Sequence, residues 1–266
     1  MTTPETGREI HIQELKQLML LILEDIDSFC RSNGINYFLA YGTLIGAVRH
    51  KGFIPWDDDI DIWMPRPDYM RFMEQYKHPY YTAYSPEFTP DWDHYIAKVC
   101  DDRTLIDEGH GDLCGVYVDV FPLDGLPDDP KKTQAHQRAV MSWLRTWSSL
   151  HYTQNLKFGK SFGIGKNIKI LAAKTLGLFY SSNKALDKLI LTQREYPYEH
   201  AQYVGYMDEE PILRNHIKAI DGEFEGYRFP IPENYHEWLT AHYGDYMQLP
   251  PVEQRVSNHG FRAFWK

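Results

Sequence analysis

Between Tyr41 and Met64 the chain reads YGTLIGAVRHKGFIPWDDDIDIWM, and four of the five residues from 57 to 61 are aspartates. Asp57, Asp58, Asp59 and Asp61 follow a basic cluster, Arg49, His50 and Lys51. Carboxylates entering a strand beside a basic loop suit a divalent cation and a polyphosphate held together. On a strand, Asp59 and Asp61 point to one face, with Cα atoms about 6.5–7 Å apart at roughly 3.3 Å per residue. Ile60 and Ile62 then face the core. Two carboxylates this close repel, and one stays protonated unless a cation lies between them. All-oxygen ligation suits Mg²⁺ or Mn²⁺. A third acid, Asp119, lies in GVYVDVFPLDGLP. It shares a strand face with Tyr117 and Phe121, opposite Val116, Val118 and Val120. An acid in such a run is costly to bury uncompensated. A metal held by Asp59, Asp61 and Asp119 would compensate it, and so would an arginine partner. A solvated acidic loop is the plainer reading of the aspartate run. A calcium loop fails on spacing: counted from Asp57, position 6 is Ile62 rather than glycine, and position 12 is Asp68 rather than glutamate.

The elements that position these residues are legible in outline. Apolar residues at helical spacing predict a helix from about Glu9 to Arg31, closed by Asn33-Gly34. A strand over Ile35–Ala40 leads to the Gly42-Thr43 turn and a short helix over Thr43–Arg49. The aspartate strand is expected over Ile60–Met64 and a helix over Arg66–Gln75. Further strands are expected near Tyr80–Tyr84, Tyr95–Cys100, Gly115–Phe121 and Glu223–Pro230. A last helix spans Glu233–His242 and stops at Gly244. The mixture predicts an α/β (α+β) class: a mixed sheet, flanking helices, and one domain over 1–266. Within it, residues 130–200 form a mostly helical basic insertion, broken near Gly159–Gly165.

Composition narrows the class. The 266 residues carry a net charge of −9, yet no Asp or Glu occurs from Pro130 to Leu186, where ten Lys and Arg fall. That asymmetry suggests a basic surface for an anionic partner, with no nucleic acid implied. No segment approaches the ~18 uninterrupted apolar residues of a membrane span. The N-terminus lacks a basic region leading into an apolar stretch, so no secretory signal is expected. Three widely spaced cysteines, Cys30, Cys100 and Cys114, fit a reducing cytosol and no zinc motif.

Three motifs together resemble a known family. GTLIGAVRHKGFIPWDDDIDIWMPRPDY looks like the signature of the LicD family. GVYVDVFPLDGLP and FEGYRFPIPENYHEWLTAHYGDYMQLPP look like its central and C-terminal motifs, in the same order. The resemblance implies a nucleotidyltransferase-type fold and transfer of phosphocholine from CDP-choline to sugars of teichoic acids, lipopolysaccharide and related glycans. Relatives such as the fukutin group move other phosphorylated alditols from CDP donors. Carried over, Gly42-Thr43 holds phosphate, while Asp59, Asp61 and Asp119 hold Mg²⁺. The long Gly42-to-Asp59 spacing and the bulky Trp63 depart from the usual family pattern.

On this reading Arg49, His50 and Lys51 clamp donor phosphates, Arg49 as a bidentate fork. Asp119 is a third ligand or the base for the acceptor hydroxyl. Lys98 and Arg103, in AKVCDDRT, either reach the donor or are surface cations. Choline calls for an aromatic cage, with Trp56, Trp63, Tyr41, Tyr117 and Tyr227 as candidates. His259 is either a site residue or a surface histidine. Two other functions compete: a metal-dependent glycosyltransferase using a nucleotide sugar, and a non-catalytic glycan-binding module. The expected setting is the cytoplasm, at the inner membrane face where acceptors are lipid-linked. Ile164, Ile168, Leu171, Thr175 and Leu178 form one mainly apolar stripe, with Lys166, Lys169 and Lys174 off it. The segment 157–180 therefore either touches an anionic membrane peripherally or packs its stripe on the core.

Overall fold

The computed structural model of the chain describes residues 7–90, 92, 94–107, 113–153, 156, 164–256 and 262–266. His259 and most of the expected break near Gly159–Gly165 lie outside them. In chain order the first elements are β1 (Glu9–Ile10), α1 (Ile12–Asn33), β2 (Phe38–Leu39), α2 (Tyr41–Ile45), β3 (Asp61–Pro65) and α3 (Arg66–Gln75). Then come β4 (Tyr81–Tyr84), β5 (Ala97–Asp107), β6 (Leu113–Leu126), α4 (Pro130–Ser148), α5 (Ile164–Gly177) and α6 (Ser182–Gln193). The last are β7 (Tyr203–Gly205), β8 (Ile212–Leu213), β9 (Ala219–Phe224), β10 (Tyr227–Pro232), α7 (Tyr235–Tyr243) and β11 (Arg262–Trp265). The chain is of the mixed α+β class and divides into two compact units, Met1–Leu123 with Ile212–Lys266, and Asp124–Pro211.

The first unit is built on a mixed sheet of order β1-β11-β5-β6-β3-β2, with β4 sharing the outer edge of β5 with β11. Only β3 and β6 run parallel within that order. Helix α1 buries Leu15, Leu18, Met19, Ile22, Leu23, Ile26 and Cys30, the stripe that its spacing predicts. It ends where Gly34 takes φ 60° and donates its N–H to the Cys30 carbonyl, a left-handed cap that glycine adopts without strain. Ile60, Ile62, Val116, Val118 and Val120 are fully buried. Alternation thus leaves the acids of both strands on the opposite face.

Two expected elements differ. The strand over Ile35–Ala40 is reduced to Phe38–Leu39. The single strand over Glu223–Pro230 is instead the β9–β10 hairpin, turning at Glu225 (φ 51°) and Gly226 (φ 81°). Two successive left-handed residues match the twist of a tight hairpin. In the sequence, an uninterrupted β-rich run hides that turn.

The second unit begins within β6, whose last residues Asp124–Leu126 pair with β7. Asp129 caps α4 by accepting from the Lys131 and Lys132 N–H groups. Leu189 of α6 is fully buried. All three cysteines are buried and free. Among the described residues, no helix is long and apolar enough to cross a membrane.

Candidate active site

Strand pairing brings the distant acids together. In the parallel β3–β6 ladder, Asp61 is the register partner of Asp119. On the other side of β6, Lys98 is the register partner of the same Asp119. The row Lys98–Asp119–Asp61 therefore crosses three neighbouring strands, and each of the three side chains is buried. The Lys98 Nζ donates to Asp119 Oδ1 at 2.8 Å and stands 3.3 Å from the Tyr117 ring centroid. Burial opposes the Lys98 charge, but the Asp119 carboxylate, together with Cys114 and Cys100, outweighs it and holds the ammonium's pKa above its ordinary value. The partner of Asp119 is thus a lysine rather than an arginine.

Backbone and side-chain bonds lock this row. The Asp119 N–H donates to the Ile60 carbonyl at 2.9 Å. The Asp61 N–H donates to the Thr43 hydroxyl at 2.9 Å, and Thr43 is buried. Thr43 therefore ties α2 to the start of the aspartate strand. The strand itself begins at Asp61, so Asp59 lies two residues ahead of it. Asp58 is buried, and the Asp57 carboxylate packs where a side chain at Gly42 would stand. Tyr41, which opens α2, takes φ 45°, a conformation seldom adopted by a bulky residue.

The acids strain one another electrostatically. Burial raises the Asp61 pKa well above its ordinary value, and Asp59, Asp119 and Asp57 push it further up, while Lys98 pulls it down. A cation would relieve that repulsion, and hard carboxylate oxygens suit Mg²⁺ or Mn²⁺. In donor type and charge, then, Asp59, Asp61 and Asp119 fit a divalent metal. Among the described residues, no three His, Cys, Asp or Glu side chains are already grouped as a metal site. One Asp119 oxygen is instead taken by Lys98.

The basic loop has a different attachment. After α2 the backbone continues as a wider π-turn over Gly46–His50. The Arg49 Nη1 donates to the Tyr246 carbonyl at 2.5 Å and to the Gln248 carbonyl at 3.3 Å. Its Nε donates to His50 Nδ1 at 3.3 Å. Burial lowers the Arg49 pKa, and the nearby Arg255 lowers it further. Burial, then Arg49, lowers His50 as well. Lys51 is exposed, and its carbonyl accepts the Glu225 N–H at 2.9 Å. The loop is thereby fastened to the C-terminal segment and to the β9–β10 hairpin. Arg103 forks onto Asp101 through Nε at 2.8 Å and Nη2 at 2.6 Å, with its face over Tyr80.

The aromatic candidates separate. Tyr41 and Trp63 meet at 4.9 Å between centroids, joined by Phe121 and Trp238. Trp63 and Trp238 lie only 4.1 Å apart, so this is a packed wall rather than an open cage. Tyr117 lies against the Lys98 ammonium. Trp56 faces Arg255 and His50. Tyr227 is exposed on β10, with its hydroxyl on Glu24.

Sequence reasoning missed Lys16, Phe121, Trp238 and Arg255. Lys16, on α1, lies 3.5 Å from the Ile54 carbonyl and 4.9 Å from the Phe53 ring centroid. Burial lowers its pKa, and Asp57, Asp58, Glu225 and Asp59 offset part of that. It is a second cation facing the acids, and nothing in its local sequence distinguishes it from the other lysines. Phe121 and Trp238 stand inside the recognised motifs, so alternation with Asp119 and helical spacing from Asn234 were the signals available.

Fold and site define a mixed α+β domain with an acid row on neighbouring strands. A model of the "LicD/FKTN/FKRP, nucleotidyltransferase domain" matches residues 34–162, which contain α2, the aspartates, Lys98 and Asp119. The chain is 33% identical over 284 residues to the lipopolysaccharide cholinephosphotransferase LicD of Haemophilus influenzae, covering 97% of this chain and 99% of that protein. A shorter stretch of 68 residues is 40% identical to an uncharacterized protein of Rickettsia typhi, covering 25% of this chain and 22% of that one. The chain belongs to the LicD family.

Proposed function

We propose that this chain moves phosphocholine, or a related phospho-alditol or amine, from a CDP-linked donor to a hydroxyl of a cell-surface glycan precursor, of the lipopolysaccharide or teichoic acid kind. CDP-choline is the first donor to test. The observation that carries this reading is the Lys98–Asp119–Asp61 row, present in a chain whose Haemophilus influenzae relative is a lipopolysaccharide cholinephosphotransferase. We place the reaction in the cytoplasm, which three free buried cysteines suit.

Asp59 and Asp61, with Asp119 beside them, would hold a Mg²⁺ or Mn²⁺ ion. Such an ion would supply Lewis-acid chemistry at the donor pyrophosphate. The protein's own part is placement and charge. Lys98 holds one oxygen of Asp119 in place, and this carboxylate is the group that would accept the proton of the acceptor hydroxyl. As that oxygen bonds to phosphorus, the bond from phosphorus to the CMP oxygen breaks, and CMP departs as the anion. Thr43 and Gly42 keep the first turn of α2 against the aspartates. Because Arg49 is engaged by carbonyls and His50 accepts from it, Lys51 is the loop cation assigned to the donor phosphates.

The test is release of CMP from CDP-choline by the purified chain in the presence of a glycan acceptor, with and without excess EDTA. Acceptor-dependent CMP release that EDTA abolishes is expected. Release of UDP from UDP-sugars in place of CMP would replace this reading with a glycosyltransferase. Full activity in EDTA would remove the metal from it.

A further inference from the structure

Helix α5 is apolar on two opposite faces. One face packs inward, with Ile170 and Ala173 buried. The other carries Ile168, 60% exposed, and Leu171, 57% exposed. The chain leaving the helix adds Leu178 and Phe179, 79% and 81% exposed. At about 100° per residue, Ile168, Leu171 and Thr175 lie roughly opposite Ile170 and Ala173. Lys169 and Lys174 fall on either flank between the two faces, and Lys166 stands exposed in the first turn. Of the stripe that the sequence left between the core and a membrane, Ile168, Leu171 and Leu178 therefore face outward.

A monomer does not ordinarily leave a leucine and a phenylalanine this exposed, the most exposed of each among the described residues, side by side next to an apolar helix face. Charge indicates what covers them. Helix α5 itself carries Lys166, Lys169 and Lys174 and no Asp or Glu, so this face favours an anionic partner. At 14 residues, α5 is about 21 Å long, short of the roughly 30 Å hydrocarbon core. It suits a helix lying in the interface plane, with leucine, isoleucine and phenylalanine below the headgroups and lysines at their level.

We propose that α5 and the Leu178-Phe179 turn form a docking face for an anionic phospholipid bilayer. Cations draw the face to the surface, and the apolar side chains then enter it, so both are required.

The experiment is flotation of the full-length chain with vesicles of phosphatidylcholine alone and of phosphatidylcholine with phosphatidylglycerol, at low and high salt. Wild type is expected to float with the anionic vesicles at low salt and to be released from them by salt. Two variants follow: Lys166→Glu with Lys169→Glu and Lys174→Glu, and Leu178→Ser with Phe179→Ser. Each should reduce the floated fraction about tenfold or more, with the melting temperature unchanged. CMP release to a water-soluble acceptor should also be unchanged, which separates failure of this proposal from failure of the proposed reaction. Absence of wild-type flotation at low salt overturns the proposal. Flotation undiminished in the Leu178→Ser, Phe179→Ser variant also overturns it, since surface charge alone would then suffice. If light scattering finds a dimer that this variant dissociates, and no vesicle binding, a second copy covers the face instead.

Discussion

The Lys98 ammonium is paired with the Asp119 carboxylate at 2.8 Å, across neighbouring antiparallel strands and with both groups buried. Removing one member of such a pair leaves an uncompensated charge in a dry place. Lys98→Met should therefore destabilise the fold by about 3–5 kcal/mol. The double variant Lys98→Met, Asp119→Leu should regain most of that stability while remaining inactive. Urea melts of the two variants check this. If Lys98→Met melted like wild type, the pair would not hold in solution.

Asp61 carries the opposite balance of stability and function. Its carboxyl is buried among Asp59, Asp119 and Asp57, so without a cation it costs stability whether ionised or protonated, and Asp61→Asn removes that cost. In EDTA this variant should melt about 3 °C above wild type for each kcal/mol relieved. Turnover should fall by more than about a hundredfold, or roughly 2.7 kcal/mol. Asp59→Asn should lose activity to a similar degree. Differential scanning fluorimetry and CMP release read the two effects separately. A variant that is both less stable and still active would contradict the assignment.

Arg49 distinguishes a structural tie from a phosphate ligand. Its guanidinium donates to the Tyr246 and Gln248 carbonyls, and hydrogen bonds from charged donors contribute about 1.5–3 kcal/mol. Arg49→Lys keeps the charge and loses the fork. The expected result is a lower melting temperature, with KM for the donor changed by less than about tenfold. A larger rise in KM at unchanged stability would return Arg49 to the donor phosphates.

What was legible in the sequence followed from short-range periodicity. Alternation placed Ile60, Ile62 and the valines of β6 in the core and left Asp119 on the other face. Helical spacing and Gly34 delimited α1. The D-x-D pair and the distant Asp119 stood out because acids in apolar runs need a reason. The parallel register that sets Asp119 beside Asp61, and Lys98 beside Asp119, was not legible, because register depends on pairing between strands far apart in the chain. The same holds for Lys16 and Arg255, ordinary surface residues by local pattern. The exposed side of α5 was undecided for another reason. An apolar stripe shows that a helix has a preferred face, and on α5 the buried positions Ile170 and Ala173 form a second, shorter apolar face that periodicity alone does not rank.

Gly42 and Gly46 provide a paired test of the turn that opens the site. A methyl at Gly46 would meet the Gly52 carbonyl and the Phe224 ring. Backbone cannot yield cheaply there, so Gly46→Ala should cost stability by an amount typical of overpacking, about 1–3 kcal/mol. A methyl at Gly42 would instead meet the Asp57 carboxylate, the far end of a side chain rather than backbone. Gly42→Ala should therefore fold with a stability within about 1 kcal/mol of wild type. Its cost should appear in activity, because Asp57 belongs to the charge field around Asp61. Displacing it changes both that field and the space at the start of α2. The expected outcome is a fall in kcat of about tenfold or more, the order that a misplaced charged group produces in a phosphoryl-transfer site. Thermal melts and CMP release on the two variants decide it. Equal losses of stability in both would mean that Asp57 is as fixed as backbone, and full activity in Gly42→Ala would detach Asp57 from the chemistry.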